Sequence, residues 1–188
     1  MASGNAFKRS AGFSLIEVLV TLVILAIGLL GIAALQSRLH LSEAEAYQRA
    51  QALILLQDME SRLAANRNAA GGYVTGASSP LGVGMTCPTS TSTRQQIDSS
   101  EWCQALQGAA EVSGTSKVGG LIGGRGCVES IGSGQYLITV AWQGLSPLST
   151  PPSSVGCGRN SYNGASGSNC TSDLCRRTVT AVVRVANL

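Results

Sequence analysis

Lys8-Arg9-Ser10-Ala11-Gly12-Phe13-Ser14-Leu15-Ile16-Glu17 leads straight into a long apolar run, and the reading of this stretch decides the fold. Residues 18–37 carry no charge, and about 20 such residues cross a bilayer as one helix. Twelve positions between Val18 and Leu35 are Leu, Ile or Val. At about −0.3 to −0.6 kcal/mol each, they supply roughly −5 kcal/mol of insertion free energy. Glu17 sits at the near edge of the span, where its cost falls below the ~3 kcal/mol of a helix centre. One acid therefore does not outweigh the run, and an ionisable residue held there points to a function. Lys8 and Arg9 precede the span, which predicts a cytoplasmic amino terminus and places the rest of the chain beyond the membrane. A secretory signal has an apolar core of only about 7–15 residues followed by a small-residue cleavage site. Here the run is longer, and Ile32-Ala33-Ala34-Leu35 imitates such a site poorly.

Gly12 followed by Phe13, with Glu17 at the fifth position after the glycine, a basic leader before and the apolar run after, resembles the class III leader of type IV pilins and pseudopilins. The resemblance implies that a prepilin peptidase cuts after Gly12 and that Phe13 becomes an N-methylated amino terminus. The cut falls before the apolar run, so the helix stays in the processed chain. Glu17 is then implied in assembly, pairing with the amino terminus of a neighbouring subunit and setting axial register. The plainer alternative is that Glu17 only reaches toward the cytoplasmic headgroups.

The chain has 188 residues, room for one domain beside the membrane segment. Only 12% of its residues are charged and 4% aromatic, and the anchor inflates the mean hydropathy of +0.20. Of the net charge of +3, Lys8 and Arg9 supply two, leaving +1 after cleavage, so bulk charge gives a nucleic-acid role no support. Six cysteines, Cys87, Cys103, Cys127, Cys157, Cys170 and Cys175, all fall in the exported part. An even count there reads as a disulfide framework in an oxidising compartment, and 15 pairings are open. Zinc is disfavoured: no Cys-x-x-Cys pair occurs, and the single histidine, His40, is far away.

No proline occurs before Pro80. Residues 13 to about 67 read as one helix of about 54 residues, on the order of 80 Å at 1.5 Å per residue, stopped by Gly71-Gly72. Its second half is amphipathic, with Leu39, Ala46, Leu53, Leu56, Met59 and Leu63 as a stripe. Glu45–Arg49 and Asp58–Arg62 are expected as i,i+4 pairs. Gly28 and Gly31 interrupt the membrane half, either for packing or as a point where the helix stretches. Beyond residue 70 lie nineteen of the 23 glycines and all five prolines. Residues 73–97 read as a loop. A short helix follows, opened by a capping box at Asp98-Ser99-Ser100-Glu101 and closed by Gly108, with Trp102 and Leu106 inward. Cys127–Ile131 and Gln135–Gln143 are predicted strands joined by a hairpin at Gly132-Ser133-Gly134, with Tyr136, Ile138, Val140 and Trp142 on one face. Thr178–Ala186 alternates again, and residues 144–175 form a stapled loop. The fold class is α+β: the long helix laid on a small antiparallel sheet.

This arrangement also resembles the pilin pattern. Val23–Gly31 and the later pairing of Glu101-Trp102 with a strand ending Val140-Ala141-Trp142 look like PilV-type minor pilins. The domains expected are a cleaved leader (1–12), a transmembrane half-helix (13–37), its amphipathic continuation (38–70) and a periplasmic globular domain (73–188). Gly119–Gly126 departs from a phosphate loop, since Gly124 is followed by Arg125 and not Lys, and it reads as a flexible loop. No nucleophile elbow or metal motif occurs, so neither an enzyme nor a cofactor is expected. Arg176 and Arg177 read as a solvated basic spot, with contact to DNA or a pilus partner as the alternative. The function implied is a minor pilin: a single-pass inner-membrane protein that enters a type IV pilus near its tip and helps assembly begin. Its partners would be major and minor pilins, the prepilin peptidase and the inner membrane, serving twitching motility and adhesion. The alternatives are a minor pseudopilin of a type II secretion system, or a tip module that captures DNA or a surface.

Overall fold

The computed structural model describes Gly12 and residues 14–109, 112–114, 116–117 and 119–186. Lys8, Arg9 and Phe13 lie outside them. Helix α1 spans Leu15–Ala65, 51 residues rich in good helix formers and free of proline. It ends before the glycine pair. The Asn66 N–H still reaches the Arg62 carbonyl at 3.0 Å, and the chain then tightens into a 3-10 segment, Arg67–Tyr73, that contains Gly71 and Gly72. The Asn66 side chain donates to the Tyr73 hydroxyl at 3.1 Å, which pins this reversal.

The chain divides into two compact units, Met1–Ser42 and Glu43–Leu188. In the first, no helix residue from Leu15 to Ser42 is buried, and an 18-residue window reaches a mean hydropathy of 2.9. That is long and apolar enough to cross a bilayer.

The second unit is a four-stranded antiparallel sheet of order β1-β4-β5-β6, comprising β1 (Leu81–Gly82), β4 (Arg125–Gly132), β5 (Gln135–Gln143) and β6 (Arg176–Arg184), with helix α2 (Arg94–Leu106) and a two-stranded ribbon of β2 (Val112–Ser113) and β3 (Ser116–Lys117). β4 and β5 meet at a tight turn through Ser133 and Gly134, where Gly132 pairs with Gln135. The core joins Ala52, Leu56, Met59 and Leu63 of α1 to Trp102 and Leu106 of α2 and to Val128, Ile138, Val140, Trp142 and Val183 of the sheet. The alternating faces of β5 and β6 are thus as the sequence reading has them. The expected stripe of α1 is rotated: Ala46 and Leu53 are exposed, and Ala52 takes the inward position.

Helix α2 begins four residues earlier than expected. Thr93 caps it: its hydroxyl accepts from the Gln96 N–H, and the Gln96 side chain accepts from the Thr93 N–H. This is a Thr-x-x-Gln capping box. Asp98, expected as the cap, stands inside the helix, its carboxylate already engaged by other groups. Gly108, at φ +76°, does close the helix.

The glycines at 119–126 are not a loose loop. A Cβ on Gly124 would lie 2.6 Å from the Leu106 carbonyl oxygen, and one on Gly126 would lie 2.2 Å from Cη2 of Trp102. They are glycines because backbone and indole pass too close for any side chain.

Candidate processing and assembly site

Helix α1 begins immediately after the leader motif. The N–H groups of Glu17 and Val18 both reach the Ser14 carbonyl, at 3.0 and 3.3 Å. Glu17 therefore stands in the first turn, where the helix macrodipole favours an acid. It is exposed. Gly12 is exposed as well, and a Cβ built on it meets nothing within 4 Å. The fold of this chain gives no reason for a glycine at 12, in contrast to Gly126. What remains is a demand made from outside the fold, as a peptidase cleft that takes the backbone without a side chain would make. Gly28 and Gly31 are equally open.

In the second unit the sequence reading missed two polar clasps. Glu45 does not turn to Arg49. Its Oε1 accepts from the N–H groups of Leu145 and Ser146, at 3.0 and 3.3 Å, and from the Ser146 hydroxyl at 3.3 Å. Arg177 Nη2 pairs with the same oxygen at 3.4 Å. Burial pushes the Glu45 carboxyl up, but the Arg177 charge and these donors outweigh it and hold the group below its usual value of 4.5.

Arg62 is the hub of the second clasp. It reaches Asp58 at 2.9 Å, as expected, and also Asp98 at 2.9 Å and Glu101 at 2.6 Å. Asp98 accepts further from Arg94 at 3.0 Å and from the Tyr73 hydroxyl at 2.6 Å. Burial, followed by the Asp98 hydrogen bond, pushes the Tyr73 hydroxyl up to about 12. A charge count along α2 was the one signal for this cluster: Arg94, Asp98 and Glu101 lie on adjacent turns.

Arg176 and Arg177 are not a solvated basic spot. Arg176 is 1% exposed. It pairs with Asp173 at 3.2 Å and donates to the carbonyls of Val155 and Cys157, at 2.8 and 3.1 Å. Arg177 is spent on Glu45 and on the carbonyls of Ser146 and Leu174. A buried guanidinium needs such partners, and the 144–175 loop supplies them.

The cysteines pair as Cys87–Cys103, Cys127–Cys157 and Cys170–Cys175. The first ties the loop before α2 to α2, the second ties β4 to the long loop, and the third closes a six-residue turn leading into β6. Among the described residues, no three His, Cys, Asp or Glu side chains gather as a metal site.

A family model for the prokaryotic N-terminal methylation motif matches residues 7–33. No curated protein and no solved structure matches the chain. The matched segment covers the leader and most of the apolar run, and it is the signal of the type IV pilin and pseudopilin class.

Proposed function

We propose that the chain is a minor pilin. Residues 13–37 anchor it in the bacterial inner membrane with the amino terminus cytoplasmic, and residues 73–188 lie in the periplasm. A prepilin peptidase removes residues 1–12 and Phe13 is methylated. The processed chain then joins major and minor pilins in a type IV pilus, near the tip, and helps assembly begin. The observation that carries this reading is the methylation motif at 7–33 placed on a helix whose apolar residues the chain itself leaves uncovered. Such a helix needs a lipid or protein environment, and a pilus supplies each in turn. The PilV-like features at Val23–Gly31 and at Glu101-Trp102 with Val140–Trp142 support the minor-pilin assignment within the class.

The methylation motif is common to pilins and pseudopilins, so a minor pseudopilin of a type II secretion system is the second reading. Two measurements test the proposal. Gly12→Val is expected to leave a form about 1.2 kDa heavier, which is 12 residues at 19.2 kDa per 188. Mass spectrometry that finds Met1 or Ala2 at the native amino terminus overturns the processing step. Deletion of the gene is expected to lower surface pilus number with secretion intact; the converse result assigns the chain to the secretion machine.

A further inference from the structure

The sheet ends at β6, and among the described residues no strand lies beyond it. The hydrogen-bond pattern tells which residues face that open edge. On the β5–β6 register, the Val185 N–H reaches the Gly134 carbonyl at 2.7 Å and the Gly144 N–H reaches the Cys175 carbonyl at 2.8 Å. Antiparallel pairs alternate between hydrogen-bonded and non-hydrogen-bonded. Residues 177, 179, 181 and 183 thus bond to β5, while Thr178, Thr180, Val182 and Arg184 turn their N–H and C=O groups outward.

Natural edges are blunted by charge, proline, bulges or a covering segment. Between Thr178 and Val183 this edge has no charge and no proline, and its pairing with β5 runs without a register shift. The core is also open beside it. Val179 and Ala181 face inward yet remain only partly buried, and Val182 on the other face is 50% exposed.

We propose that β6 pairs edge to edge with β6 of a second copy of this chain, antiparallel about a two-fold axis at Ala181. The strand is self-complementary in that register and in no neighbouring one. Thr180 meets Val182 and Thr178 meets Arg184 as hydrogen-bonded pairs, so all four outward residues of both copies are used. On the inward face Val179 meets Val183 and Ala181 meets itself, which closes the half-open core. Shifting the sum of paired residue numbers down by two sets Arg176 opposite Arg184; shifting it up by two carries Thr178 past the strand end. An isologous contact of this kind closes as a dimer and does not propagate. The edge belongs to the folded sheet, and the pairing stands whether or not the chain enters a pilus.

The test uses the full chain in detergent micelles. Light scattering is expected to give twice the protomer mass. Ala181→Cys sits at the two-fold axis in a non-hydrogen-bonded pair, where Cβ atoms approach most closely. Under mild copper-catalysed oxidation it is expected to yield a disulfide-linked dimer, which Ser153→Cys, on an exposed loop residue, does not. The Thr180 N–H faces outward, so Thr180→Pro removes no bond within the sheet, and it is expected to abolish the dimer with the far-UV circular dichroism unchanged. A wild-type protomer mass overturns the proposal. So does a dimer that survives Thr180→Pro, or equal cross-linking of the two cysteine variants. If Thr180→Pro misfolds, the contrast between Ala181→Cys and Ser153→Cys decides alone.

Discussion

A methyl group on Gly126 would stand 2.2 Å from Trp102 Cη2 and 2.7 Å from Leu106 Cδ1. The indole cannot turn aside, because its Nε1 donates to the Leu55 carbonyl at 2.8 Å and the ring is fully buried. Gly126→Ala is therefore expected to cost about 1–3 kcal/mol by overpacking, seen as a lower Tm with tryptophan fluorescence as the probe. An unchanged Tm would show that the helix–sheet contact is looser than these distances state. Glu17 is the opposite case. It touches nothing that the fold needs, so Glu17→Ala is expected to leave stability and disulfides intact. Its effect is expected outside the chain. In a dry filament core an unpaired carboxylate is costly, and the amino terminus of a neighbouring subunit relieves it. Glu17→Ala is expected to drop out of sheared pili or to lower their number. Recovery at the wild-type ratio with normal piliation would leave only the headgroup role.

The elements divide by how much of their cause is local. Strand β5 and the β4–β5 turn were legible to the residue, since alternation and a Gly-flanked turn are properties of consecutive positions. The start of α2 was not. Two capping patterns compete there, and the choice went to Thr93 because Tyr73 and Arg62 recruit the Asp98 carboxylate. Arg176 was illegible for a similar reason: its partners Val155, Cys157 and Asp173 come from a loop with no period to read. Cysteine pairing was open in principle, since spacing alone selects none of the alternatives. Glu45 joins α1 to the loop after β5 across 100 residues of sequence, and it makes a pH-dependent joint. Its folded value lies below the unfolded one, so its stabilisation is present above about pH 4.5 and fades as pH falls through the folded value. Glu45→Gln is expected to lower the unfolding midpoint at pH 7 and to match wild type progressively below about pH 4. A difference that stays constant into acid would show that the carboxylate charge plays no part.

For the whole molecule, the second unit carries few aromatic residues and many glycines, and three cross-links offset its thin core. Each is worth about 2–4 kcal/mol. Thiol labelling of the denatured, unreduced chain is expected to find only trace reactivity; four or more reactive thiols would mean that the framework does not form in the cell. All three bridges lie between residues 87 and 175, so none of them reaches α1. The sheet, α2 and the long loop are stitched together covalently. The helix is held to them by Ala52, Leu56, Met59 and Leu63 and by the Glu45 and Arg62 clasps alone. A pull along the helix thus meets a seam made only of weak contacts. That seam yields first, at a force set by packing and ion pairs and indifferent to reducing agents, and the cross-linked head comes away whole.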